Sequence, residues 1–170
     1  MRVKRENNTL LFTFNLSERQ LFLRLFSQLS MSYRLKPGEL DFKTVSVWYS
    51  TCGCNTAKMS EEETKEWVDH LHSFKSANLQ RLKDWSKQLT EMKLAQAHLR
   101  VNVEDAPAFM IVINDHRLRT AVQHDIGQPE MDIYSPLQLL KLASNRQEAL
   151  LEIHFLAWIL EETLRVLQDP

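Results

Sequence analysis

From Glu61 to His98 the chain runs about 38 residues without a glycine or a proline. Along that run Trp67, Leu71, Phe74, Asn78, Leu82, Trp85, Leu89 and Met92 recur in steps of three and four, the period that turns one side of an α-helix toward a core. Ser60-Glu61-Glu62-Glu63 opens it as a capping box, with acidic side chains on the positive end of the helix dipole. An unbroken rod of that length would extend about 57 Å at about 1.5 Å per residue. That is long for a chain of 170 residues. Two arrangements are open. A bend or break near 73–78 would make two helices that pack within the fold, and size favours this one. A projecting helix would pair with another chain, a homodimer through the 61–98 helix being one form of it.

Three glycines and five prolines in the whole chain argue against a many-turned all-β protein or a collagen-like one. With 44% apolar and 25% charged residues the composition is globular, which excludes a mainly disordered chain. The remaining segments add a little β structure. Arg2–Arg5 and Thr9–Phe14 read as strands around an Asn7-Asn8 turn, a hairpin over 2–14. Ser17 to Gln20 has the form of a second capping box, starting a helix over about 17–31. Pro37-Gly38 marks a turn, Thr44–Tyr49 alternates as a strand would, and 51–59 reads as loop. Leu99, Val101 and Val103 alternate as a third short strand. Asp105 is the expected cap of a helix over 106–125, with Pro107 in its first turn and Gly127 placed to stop it. Further helices are expected over 136–144 and 146–168. The last is apolar on nearly all sides from Leu150 to Leu160, the pattern of a central buried element. The expected fold is therefore mainly α: a single helical domain over 1–170 with a small N-terminal β-hairpin and a third short strand.

Composition also bounds the function. Residues 1–8 start basic but lack the apolar stretch and cleavage site of a signal peptide, and the segment 150–160 is about half the length a membrane span needs. Two cysteines cannot build a disulfide framework, so a reducing cytoplasm is the expected compartment. A net charge of −1 and a pI of 6.6 remove the simplest argument for nucleic-acid binding. A DNA-binding reading would rest on Arg2, Lys4, Arg5 and Arg24, with no basic recognition helix to carry it. Charge is unevenly spread: residues 1–60 hold nine Lys/Arg against four Asp/Glu, whereas 101–170 hold five against eleven. Either the first segment packs near the last within one fold, or an acidic face meets a basic partner.

The most informative string is Phe109 to Arg119. Five apolar residues, 109–113, bury the first half of this helix on all sides. Asn114 lies between Met110 and Leu118 at four-residue steps and is expected to point inward, while Asp115 and Arg119 have the spacing of an i,i+4 ion pair. This is either a structural polar network or a small polar site in which Asn114, Asp115, Arg117 and Arg119 bind an anion or a peptide end. Other constellations fail on geometry. Cys52-Gly53-Cys54 has no second cysteine pair to complete a zinc site. His70 and His72 point to nearly opposite sides of a helix. Asp69-x-x-His72 has the spacing of half a di-iron site, but the other half is missing. His154, on a crowded apolar helix, is expected to be a hydrogen-bonded core histidine. No catalytic, metal-ligating or cofactor-binding set is expected.

Leu99-x-Val101-x-Val103, the helix start at Asp105-Ala106, Ile113-Asn114-Asp115-x-Arg117-Leu118 and Ile126-Gly127 together resemble a bacterial family, the domain-of-unknown-function family two-zero-one-seven. Its opening hairpin and leucine-rich helix are similar to Glu18–Leu29 here, and its closing tryptophan helix to Ala157-Trp158, with Phe109 standing where the family has a tryptophan. The resemblance touches about half the chain. It implies no established activity, and frequent encoding beside the adaptor of the Clp protease. The expected function is a cytoplasmic, non-catalytic interaction or regulatory module with a protein partner. The alternative is a small-ligand-binding protein or unrecognised enzyme using Asn114, Asp115, His116 and Arg117, with Asp115 and His116 as acid–base groups.

Overall fold

The computed structural model describes residues 1–50, 59–91, 97–133 and 135–168. Strands β1 (Arg2–Glu6) and β2 (Thr9–Phe14) form the expected hairpin; Asn7 takes the left-handed turn conformation at φ 55°. The third strand, β3 (Ala97–Asn102), pairs antiparallel with the other side of β2, opposing Leu99 to Phe12 and Val101 to Leu10. One face of this sheet carries Leu10, Phe12, Phe14, Leu99 and Val101, all buried.

Helix α1 (Leu16–Ser32) follows, but Ser17 is not its cap. Asn15 is: its Oδ1 accepts from the Glu18 amide at 3.0 Å, and Glu18 Oε2 accepts from the Asn15 amide at 2.8 Å. Asn15-x-x-Glu18 satisfies the same box two residues earlier, on the first chain turn after β2. The alternating stretch at Thr44–Tyr49 is helical, not extended. Helix α2 (Phe42–Trp48) is capped by Asp41, whose carboxylate accepts from both the amide and the hydroxyl of Thr44. Its buried residues are Thr44 and Trp48, one helical turn apart.

The long central run divides as size requires. Helix α3 (Glu61–Ser76) starts in the expected Ser60–Glu63 box, and α4 (Leu79–Glu91) begins after a two-residue link at Ala77-Asn78. A continuous 61–98 helix does not form, because Ala97 and His98 already belong to β3. α4 lies against α1 and β3, and its Leu82, Trp85 and Leu89 are buried.

Helix α5 (Ala106–Gln123) is preceded by a 3-10 turn over Val103–Asp105. Asp105 stands at its N-cap position as expected, but the side chain makes no cap bond; the carboxylate instead accepts from Arg81 at 2.7 Å. Gly127 does not stop it either. Asp125 adopts φ 51° and the Ile126 amide reaches back to the Ala121 carbonyl at 2.9 Å, while Gly127 opens the next short helix, α6 (Gln128–Met131). Helix α7 (Pro136–Leu139) is one turn, shorter than the 136–144 expected. Helix α8 (Ser144–Gln168) packs along α5 and shows one-sided burial. Ala149, Leu150, Ile153, Leu156, Ile159, Thr163 and Val166 face inward, whereas Leu151 is 55% and Trp158 38% exposed. It is therefore not a helix enclosed on all sides.

Phe109 of α5 is the hub of the core. Its ring centroid lies 4.7 Å from Phe12, 5.4 Å from Trp85 and 6.4 Å from Phe22, joining the sheet, α4 and α1. Ion pairs Arg24–Glu152 and Lys43–Asp125, both at 2.5 Å, link the basic first third to the acidic last third. Among the described residues no helix is long and apolar enough to cross a membrane.

Candidate functional site

Consecutive residues on a helix point about 100° apart, and α5 uses this to send Asp115 and His116 into different walls of the protein. Both are buried. Asp115 does not pair with Arg119. Its Oδ2 accepts from the Tyr33 hydroxyl at 2.5 Å and from Lys75 Nζ at 2.6 Å, and its backbone carbonyl accepts from Trp48 Nε1 at 2.8 Å. Tyr33 comes from the end of α1, Trp48 from the end of α2 and Lys75 from the last turn of α3. One residue thus ties three helices to α5, two through its carboxylate and one through its backbone carbonyl. The Lys75 ammonium also lies 5.1 Å from the Trp48 ring and 5.9 Å from those of Tyr33 and Tyr49.

The electrostatics hold the phenols in their neutral form. Burial, then the charge and hydrogen bond of Asp115, push Tyr33 well above the ordinary tyrosine value. Burial and the same charge push Tyr49 up to about 12. Tyr33 therefore keeps its proton as a donor to Asp115, and the cluster acts as a charged lock.

His116 faces α8 and α1. Its Nε2 lies 2.6 Å from Glu152 Oε1, and Arg24 donates to Glu152 Oε2 at 2.5 Å. Burial alone would raise the Glu152 carboxyl, but the His116 hydrogen bond and charge together with Arg24 outweigh it and hold the group below its ordinary range. A polar pocket of about 270 Å³ opens beside this chain, lined among others by Arg24, Gln28, His116, Thr120, Glu148 and Glu152. His116 Nδ1 is buried with no hydrogen-bond partner among the described residues.

The sequence-derived set does not converge on one patch. Asp115 is sealed inside by Tyr33 and Lys75. Asn114 and Arg117 are half-buried. Arg119 is half-buried in the field of Asp41, with the Gln123 amide oxygen, turned toward it, accepting from its Nε at 2.9 Å. His154 Nε2 donates to the Met131 carbonyl at 3.0 Å, as a hydrogen-bonded core histidine would. His70 and Asp69 are exposed and His72 is half-buried. No group of three His, Cys, Asp or Glu among the described residues is placed to hold a metal ion. Cys52 and Cys54 lie outside the described residues.

Sequence reasoning missed Lys75, Tyr33, Glu152 and Arg24. One signal for Lys75 was present: it stands four residues after Leu71 and seven after Val68, in register with the apolar side of α3. A lysine there needs a buried carboxylate, and Asp115 on the apolar helix was the available one. Comparison with family models, with curated proteins and with solved structures finds no match to this chain.

Proposed function

We propose that this chain is a non-catalytic interaction or regulatory module of the cytoplasm, in keeping with its resemblance to family two-zero-one-seven, and that it presents the outer side of α8 to a protein partner. One observation carries the reading. Leu151 and Trp158 lie on the outer side of α8 at helical spacing, with half-buried Phe155 between them at the edge of the core and its ring stacked on that of Trp158 at 6.1 Å. Trp158 is 38% and Leu151 55% exposed, an open apolar surface of the kind that marks interaction sites. Glu148 and Glu161 stand exposed at its two ends. The cytoplasm suits a chain with only two cysteines.

The test is affinity purification from the native host with the wild type and with Leu151→Glu/Trp158→Glu, followed by reconstitution from purified components. A stoichiometric protein partner is expected with the wild type and lost with the double variant, whose cooperative thermal unfolding shows that it stays folded. Retention of the same partner by the variant, or a wild-type protein that emerges alone, would overturn the reading.

The pocket beside His116 favours a second reading, a binding site for a small polar molecule, in which His116 is the one member of the Asn114–Arg117 set that lines the cavity. Native mass spectrometry of the same preparation separates the two: a bound small molecule lost in His116→Ala supports this reading, and an empty pocket counts against it.

A further inference from the structure

Helix α3 is seated by a charge. Among the described residues Lys75 is its only buried side chain; Val68 and Leu71 reach the core in part, and Phe74 is 53% exposed. Trp67 Nε1 and His72 Nδ1 on the same helix are buried without hydrogen-bond partners among the described residues. The link to α4 is two residues, Ala77-Asn78. Segments with little buried apolar surface are those that open locally while the rest of a protein stays folded.

The seat has a recognisable chemistry. Three rings surround the Lys75 ammonium, Trp48 at 5.1 Å and Tyr33 and Tyr49 at 5.9 Å, and the Asp115 carboxylate closes the fourth side at 2.6 Å. All four walls belong to α1, α2, their ends and α5, so the cage is built without α3. Aromatic faces plus one carboxylate recognise an alkylammonium group whatever chain it hangs from. We propose that α3 is a releasable latch, and that the cage beneath it is a binding site for the lysine side chain of another polypeptide, with Lys75 as the internal competitor. This site is separate from the α8 surface and stands whether or not that surface binds a partner.

The probe is n-butylammonium, which carries the end of a lysine side chain without a backbone. Hydrogen exchange of the wild-type chain is followed in n-butylammonium chloride and in sodium chloride of equal ionic strength. Residues 61–76 are expected to exchange about tenfold or more faster than α1 and α5, and butylammonium is expected to speed 61–76 alone. In Lys75→Ala, butylammonium is expected to raise the melting temperature, and Trp48→Leu in the same background is expected to abolish that rise. Exchange at 61–76 that matches α1, or that is the same in both salts, overturns the proposal. So does a folded Lys75→Ala protein that butylammonium fails to stabilise. Should Lys75→Ala not fold, the wild-type exchange experiment decides by itself.

Discussion

Glu152 accepts from His116 on one oxygen and from Arg24 on the other, and its ionised form is favoured by both. Because its carboxyl sits below the ordinary value of 4.5 in the folded protein, the stabilisation it gives is fully present above that ordinary value. It is lost as the pH falls through the lower, folded-state value. Denaturant unfolding at a series of pH values should therefore show the wild type more stable than Glu152→Gln at neutral pH, with the gap closing in acid. A gap of constant size from neutral to acid pH would show that the charge is not what the site uses. Neither this pairing nor the identity of the residue that enters the core from α3 was legible in the sequence. The sequence period placed Phe74 on the inner side of α3 and took no notice of Lys75, whereas the fold exposes the phenylalanine and buries the lysine. Period alone marks a stripe several residues wide; which member enters the core was decided by Asp115, 40 positions away.

Helix starts show the same dependence on neighbours at the scale of an element. Two boxes overlap at the head of α1, and the strand before it selects Asn15 over Ser17 by ending at Phe14. Asn15→Ala should thus cost about 1 kcal/mol, while Ser17→Ala, inside the first turn, should stay within about 0.5 kcal/mol. Equal losses in thermal unfolding would mean that the two caps interchange. At α2 the alternation of Thr44–Tyr49 mimicked a strand, yet Asp41 three residues before Thr44 supplied a helix start and Trp48 found its hydrogen bond only on α5. The break in the 61–98 run was legible because a rod of that length cannot be covered by so small a chain. The one-sided burial of α8 was not, since an apolar sequence reports what a helix could bury and not how much of the protein reaches it.

Across the whole molecule the apolar periodicity and helix-start signals correctly announced helices with a small sheet, the few glycines having argued against a many-turned all-β chain, and the charge asymmetry resolves into contacts between the two ends of the chain. How the core is partitioned was not legible, because it depends on which helices α5 and α8 meet at each level. The first and middle turns of α5 and the middle and last turns of α8 share the aromatic core around Phe109. The end of α5 and the start of α8 instead enclose a second cluster, Ala121, Ile126, Ala149, Leu150 and Ile153, covered by half-buried Met131, Ile133, Leu139 and Leu142. That cluster holds no aromatic ring among its buried members, and α6 and α7 above it are four residues each. With less apolar area per residue it should open first. Native-state hydrogen exchange is expected to show amides of 128–133 and 135–143 released by a local event, and those of α1, α4 and the middle of α5 only by global unfolding. Leu150→Ala should speed the first class strongly while Phe109→Ala, costing about 3–5 kcal/mol, should speed both alike. If Leu150→Ala instead accelerates every amide equally, the two clusters unfold as one, and α5 and α8 transmit the loss from end to end.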